Sequence, residues 1–234
     1  MQGGLELASS GTGTRPSSRD DILACFTELV AERGYDQVSL RDVAERLKIS
    51  KGTILHHFTS KEFLLERLHH RYMTRRLAEA RLILERLTGP AEKLSGIIYQ
   101  LFIAQRDDRA ATVAFAREIQ RFARDASMEE VRAMREEYAG LMTAVVQEGM
   151  DAGDFAPEDS TLITLQVFGM CNWSWTWYRP EGNFSAEDIA GTFIRTLLHG
   201  LTFDSLLDDD QLDNIASVVH QTMCEYSAAG DIST

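Results

Sequence analysis

The side chains best equipped for chemistry in this chain are cationic or hydrogen-bonding and crowd one short stretch: Lys51, Thr53, His56, His57 and Lys61, with Arg41 upstream. They come without a nucleophile–base arrangement, a glycine-rich phosphate loop or paired carboxylates. The chemistry they suit is therefore contact with an anionic partner, not turnover, and the chain is expected to be no enzyme and to need no cofactor. His56-His57 and His69-His70 form the one histidine group worth weighing as a metal site. Adjacent residues on a helix diverge by about 100° and no cysteine or carboxylate completes a ligand set, so no metal is expected. A second cationic group follows: Arg106, Arg109, Arg117, Arg121 and Arg124, five of the ten basic residues in 88–234. Arg117, Arg121 and Arg124 are spaced by four and three, which places them on one helical face. Such a face beside apolar side chains suits an amphipathic anion; it equally suits surface pairing with Glu118, Asp125, Glu129 and Glu130.

The elements that must position these groups are helical throughout, and no stretch alternates like a strand. Ser18 caps a first helix running to Arg33, with Ile22, Phe26, Leu29 and Val30 inward, and Gly34 stops it. Ser39 with Asp42 caps a second, whose Leu40, Val43, Ala44 and Leu47 recur at threes and fours. Ser50 caps a third, in which Ile54 and Phe58 turn inward and Lys51, Gly52, Thr53, Leu55, His56 and His57 are left outside. Ser60 caps a long helix from Lys61 to Leu87, with His69, His70, Arg71, Arg75 and Arg76 on a solvated face. Two short helices at a steep angle, the second with a small, basic outer face, describe a helix-turn-helix.

At residue level the stretch 18–65 resembles the N-terminal domain of TetR/AcrR-family transcriptional regulators. The match is carried by Gly34-Tyr35, Ser39-Leu40-Arg41-Asp42-Val43-Ala44, Ile49-Ser50-Lys51-Gly52-Thr53-Ile54, His57-Phe58 and Ser60-Lys61-Glu62. The resemblance implies double-stranded operator DNA as partner. Lys51, Thr53 and His56 then contact the groove, His57 and Lys61 hold phosphates, and Arg41, Gly52 and Leu55 complete the surface. The family often has a tyrosine where Leu55 stands, so a phosphate-donating phenol is missing.

Charge agrees with a local contact. The chain of 234 residues carries a net −12. Residues 1–87 hold 14 basic and 12 acidic residues, a net of +2, and the remainder holds 10 and 24, a net of −14. A few placed contacts are expected, with the acidic part held off the duplex. The domains read as a flexible arm (1–17), a helix-turn-helix domain (18–62), a helical effector-binding and dimerisation domain (63–226) and a disordered tail (227–234). Further helices are expected at 90–105, 110–124, 128–151, 160–178, 186–200 and about 212–223, with Ser127/Glu130 and Ser185/Asp188 as start signals and Gly149, Gly153, Gly182 and Gly200 near the ends. Cys25, Cys171 and Cys224 lack metal spacing and read as buried thiols. With no long apolar run and no signal core, a cytoplasmic protein without membrane contact is expected.

In the effector half, Phe102, Phe115, Ile119, Phe122, Met134, Tyr138 and Met142, with Phe168 and Asn172, are expected to line an apolar cavity rimmed by Arg106, Arg117 and Arg121. The stretch 162–178 is apolar on all sides, so it needs a partner on more than one face. A homodimer is expected, with Trp173, Trp177, Phe193 and Leu197 at the interface. Asn172-Trp173, Trp177-Tyr178-Arg179-Pro180, Gly182 and Ser185–Ala190 resemble TetR-family repressors that sense acyl-CoA thioesters. That implies a small amphipathic effector of acyl-CoA type releasing a palindromic operator. The rival readings are a protein-interaction adaptor and a helical enzyme using the same cavity.

Overall fold

The computed structural model describes residues 18–119, 121, 128–202 and 217. Among them no strand occurs; the chain builds α1 (Arg19–Arg33), α2 (Leu40–Leu47), α3 (Lys51–His57), α4 (Lys61–Arg86), α5 (Pro90–Asp107), α6 (Arg109–Glu118), α7 (Glu129–Ala152), α8 (Ser160–Trp173) and α9 (Ala186–Thr202). The expected arm 1–17, the tail 227–234, the segment 212–216 and 218–223, Phe122, Arg124, Ser127 and Cys224 lie outside the described residues.

Local chemistry sets the first four helices. Ser18 and Asp21 form a reciprocal capping box, as do Ser39 and Asp42: the Ser39 N–H donates to Asp42 Oδ2 at 2.7 Å and the Asp42 N–H to Ser39 Oγ at 3.3 Å. Each box satisfies two backbone donors that a helix start leaves open. Gly34 ends α1 at φ +84°, its N–H donating to Val30 O, and this sends Tyr35 back onto Phe26. Lys48 takes the left-handed conformation (φ 55°) between α2 and α3, so the turn is made without a glycine. Ile22, Phe26, Val43, Ile54 and Phe58, at most 1% exposed, form the small core that fixes the angle of α3.

α4 then runs through the middle of the molecule, against α1, α5, α6 and α7. This position corrects two residues of the solvated face expected on it, while Arg71 and Arg75 are exposed and His70 half-buried. His69 is fully buried beside Phe115, and Arg76 is 3% exposed over the Tyr72 ring. Burial pushes the His69 imidazole down to about 3, so it sits neutral at physiological pH. A helix with neighbours on several sides buries residues that a two-faced pattern assigns to water.

α5, α7, α8 and α9 complete the second part. α7 ends at Ala152, with Gly153 left-handed after it. Gly149 does not end the helix: the Phe155 ring lies where its side chain would be, with Cδ2 2.2 Å from an added Cβ. α8 stops at Trp173 and continues as a 3-10 turn over 174–176, shorter than the single helix expected to 178. α9 turns its apolar face onto α5, where Phe193 meets Phe102 edge-on at 5.2 Å. Cys25 and Cys171 are buried free thiols. Among the described residues no helix is long and apolar enough to cross a membrane, and no cluster of three or more His, Cys, Asp or Glu is placed to hold a metal ion.

Candidate nucleic-acid interface and effector crevice

The helix-turn-helix surface is built outward from Ile54 and Phe58. With those two inside, Lys51, Gly52, Leu55 and His56 are exposed, and Thr53 and His57 are half-buried on the same outer surface. Ser50 Oγ accepts from the Thr53 N–H at 3.0 Å and shares a hydrogen bond with its hydroxyl at 2.9 Å, so Thr53 is held in one orientation at the helix start. Gly52 keeps that start low: an added Cβ would meet nothing closer than Ser50 Oγ at 3.5 Å, leaving the backbone open to close approach. The His56 and His57 rings stand edge to face at 5.3 Å. Arg41 is occupied by Glu45 at 2.7 Å, an exposed pair that a phosphate can displace at little cost. Arg46 forks onto Glu32 at 2.9 and 3.1 Å and ties α2 to α1.

Lys61 is placed differently from a free anchor. Its ammonium lies 3.9 Å from the centroid of the Tyr35 ring, and burial holds its pKa below the usual lysine value. The Arg121 guanidinium lies 4.6 Å from the same ring. The Tyr35 N–H donates to Glu118 Oε1 at 3.0 Å and its hydroxyl to Glu62 Oε1 at 3.3 Å. Burial, with Glu62 beside it, pushes the phenol up to about 12. Tyr35 is thus the point where the reading head, the start of α4 and the end of α6 meet. In the sequence it stood out only as one of the residues that carry the family resemblance.

The expected arginine face is divided. α6 ends at Glu118, short of Arg121. Arg121 turns to Asp36 and Glu118, while Arg117 points to Trp175, its guanidinium 5.4 Å from the ring. Arg106 is exposed and bound to Asp107 and Glu187. Of the apolar set, Phe102, Tyr138 and Met142 are buried in the core, and Phe115, Ile119, Met134 and Phe168 pack against it. Phe115 stacks on Tyr72 at 4.6 Å, and Phe168 lies 5.9 Å from Tyr138. Asn172 is exposed beside Trp173 and does not join them.

Arg117 instead belongs to a crevice of about 490 Å³ between α1, α6 and the turn after α8, lined among others by Glu28, Glu32, Arg109, Trp175 and Arg179. Arg109 Nη1 is buried there with no hydrogen-bond partner among the described residues. Glu28 and Glu32 both pair with Arg46. Three arginines and an indole thus line a cavity whose two acids share Arg46. Arg117 was expected to bind ligand and Arg109 belonged to the same cationic group; Trp175 and Arg179 were not singled out as ligand groups, though Arg179 stands in the Trp177–Pro180 motif.

The outer face of α8 exposes Leu162 (64%), Leu165 (59%) and Trp173 (67%), flanked by Trp177 and Phe184, while Thr164, Val167 and Cys171 face inward. Of Phe193 and Leu197, expected at a dimer interface, Phe193 is half-buried and meets Phe102 of α5, and Leu197 is buried within the subunit.

Residues 22–68 match the family of bacterial regulatory proteins, tetR family, and residues 87–201 match the tetracyclin repressor-like C-terminal domain. The chain belongs to the TetR family of transcriptional regulators. It is 28% identical to the HTH-type transcriptional repressor KstR2 of Mycolicibacterium smegmatis, over 82% of this chain and 94% of that one. The solved structure of the ketosteroid transcriptional regulator KstR2 of Mycobacterium tuberculosis superposes with a TM-score of 0.75 at 27% identity, covering 82% and 98% of the two chains. AibR, solved in complex with isovaleryl coenzyme A and operator DNA, shares the fold (TM-score 0.72, 20% identity, 77% and 97% covered).

Proposed function

We propose that this regulator is a dimeric repressor that lays α3 of each subunit in the major groove and is released by an amphipathic anion of acyl-CoA type. The observation that carries the effector reading is the crevice. Its three arginines match a phosphate-rich head group, Trp175 offers a stacking surface for a base, and its walls come from both domains. A ligand seated there bears on α1 and α6 at once, and so on the pose of the reading head. It acts as a population shift, binding the released state better than the operator-bound one.

The apolar stripe of α8 supports the dimer: a second copy buries Leu162, Leu165 and Trp173 and sets two α3 helices about one DNA turn, ~34 Å, apart or somewhat more. Lys51, Thr53 and His56 read the groove, and His57 and Lys61 hold phosphates. A protein that works on operator DNA works in the cytoplasm.

A panel of acyl-CoA thioesters, with free coenzyme A as reference, tests the effector reading by thermal shift and by operator release. Thioesters are expected to raise Tm and to release DNA, and Arg117→Ala with Arg179→Ala to abolish both. If no thioester shifts Tm, or the double variant responds like wild type, the crevice is not the effector site.

A further inference from the structure

A second cavity of about 490 Å³ runs along the outer side of α4 and α5, away from the crevice and sharing no residue with it. Ile83, Leu87, Ile103 and Ala104 contribute its apolar surface, and Leu82 (44% exposed) and Tyr99 (39%) stand at its mouth. Gly96 lets the two helices close on each other at one end: an added Cβ would fall 2.6 Å from Ile83 Cγ2 and 2.8 Å from Leu87 Cδ1.

Asp107 also lines the groove but is taken by Arg106 outside it, and the remaining charges are uneven. At one end Arg75 and Arg76 are balanced by Glu79 and Asp108, at 2.8 to 3.5 Å. At the other end stands Arg86, exposed and with no ion pair among the described residues. Arg76, 3% exposed, also lines the groove, and its Nε has no acceptor among the described residues. Arg76 and Arg86 are ten residues apart on one helix, about 15 Å. The site therefore offers a cation at one end, an apolar trough between, and at the far end a neutralised cluster with one spare donor.

We infer that the α4–α5 groove binds a long-chain monocarboxylic acid, its carboxylate on Arg86 and its apolar body along Ile83, Leu82 and Ile103. A single carboxylate satisfies the one uncompensated charge, and a thioester of a phosphate-rich carrier does not fit that role. The inference does not depend on the crevice being the effector site. Since α4 begins at Lys61, the groove gives a free acid its own hold on the helix that carries the reading head.

Calorimetric titration of the full chain with sodium laurate, below its micellar concentration, tests this. Binding near one per subunit is expected. It should weaken roughly tenfold or more in Arg86→Ala, which loses a charge-assisted contact, and disappear in Leu82→Glu, which sets a repelling carboxylate at the mouth. Both positions are exposed, so circular dichroism should match wild type. Dodecanol should bind at least tenfold more weakly than laurate. The Arg117→Ala, Arg179→Ala double variant should bind laurate unchanged. Absence of laurate binding, binding indifferent to Arg86 and Leu82, or binding lost with the crevice arginines overturns the proposal.

Discussion

Arg121 of the effector half and Asp36 of the reading head stand 2.8 Å apart, a fork of one guanidinium nitrogen onto both carboxylate oxygens. Together with the Tyr35 N–H on Glu118, this pair fastens the turn after α1 to the end of α6. Both side chains are partly open to water, so the pair contributes little to stability, about 0–1 kcal/mol. Its role is orientation. Arg121→Ala should leave the denaturation midpoint nearly unchanged while reducing the effect of the effector on operator affinity. Glu118→Ala should cost more, roughly 1–3 kcal/mol, because a partly buried N–H loses its acceptor. Urea denaturation alongside operator titration with and without effector separates the two outcomes.

The capping boxes make a pH-dependent contribution of known sign. Hydrogen bonds from Ser39 hold the Asp42 carboxyl below the usual carboxylate range, and Ser185 does the same for Asp188. A carboxyl with a lowered folded-state pKa stabilises the fold above its unfolded value and loses that contribution as pH falls through the folded value. The stability gap between wild type and Asp42→Asn should therefore close on acidification below about pH 4. Ser39→Ala should cost about 1 kcal/mol at neutral pH. Thermal melts followed by circular dichroism across pH measure both.

Much of this architecture was legible before any coordinates. Ser18 and the pairs Ser39/Asp42 and Ser185/Asp188 start helices, Gly34 stops one, and Ile54 with Phe58 fixes which side of α3 faces out. These are signals within one turn or one helix. What was not legible depends on contacts distant in sequence. Tyr35 and Glu118 are 83 residues apart, and nothing local says that they meet. Arg117 and Arg121 share a face only if the helix continues past Glu118. Phe193 was expected at a dimer interface, and no local signal says that its ring also meets Phe102 of α5.

The α8 surface predicts the oligomeric state. Leu165→Glu or Trp173→Glu places a charge in the middle of an apolar stripe and should convert the dimer to monomer without loss of helicity, since both side chains are exposed in the subunit. Phe193→Ala should instead destabilise the subunit, by less than the roughly 3–5 kcal/mol of a fully buried phenylalanine, because its ring is half-buried against Phe102. Sedimentation velocity paired with denaturation distinguishes these effects.

At Gly149 the fold tolerates no side chain. Gly149→Ala drives a methyl into the Phe155 ring and should destabilise by roughly 1–3 kcal/mol, and Phe155→Ala in the same chain should relieve the clash while leaving its own cavity. Urea midpoints of the single and double variants test this.

The central claim is that α3 reads DNA through a few placed groups. Fluorescence anisotropy on the duplex upstream of its own gene, across salt concentrations, tests it most directly. Wild type should bind that duplex in preference to scrambled DNA, with affinity falling as salt rises. His57→Ala should weaken binding to all sequences alike, whereas Lys51→Ala should cost roughly 1–3 kcal/mol and relax sequence preference. No preferential binding at low salt, or binding unchanged in both variants, would contradict the account.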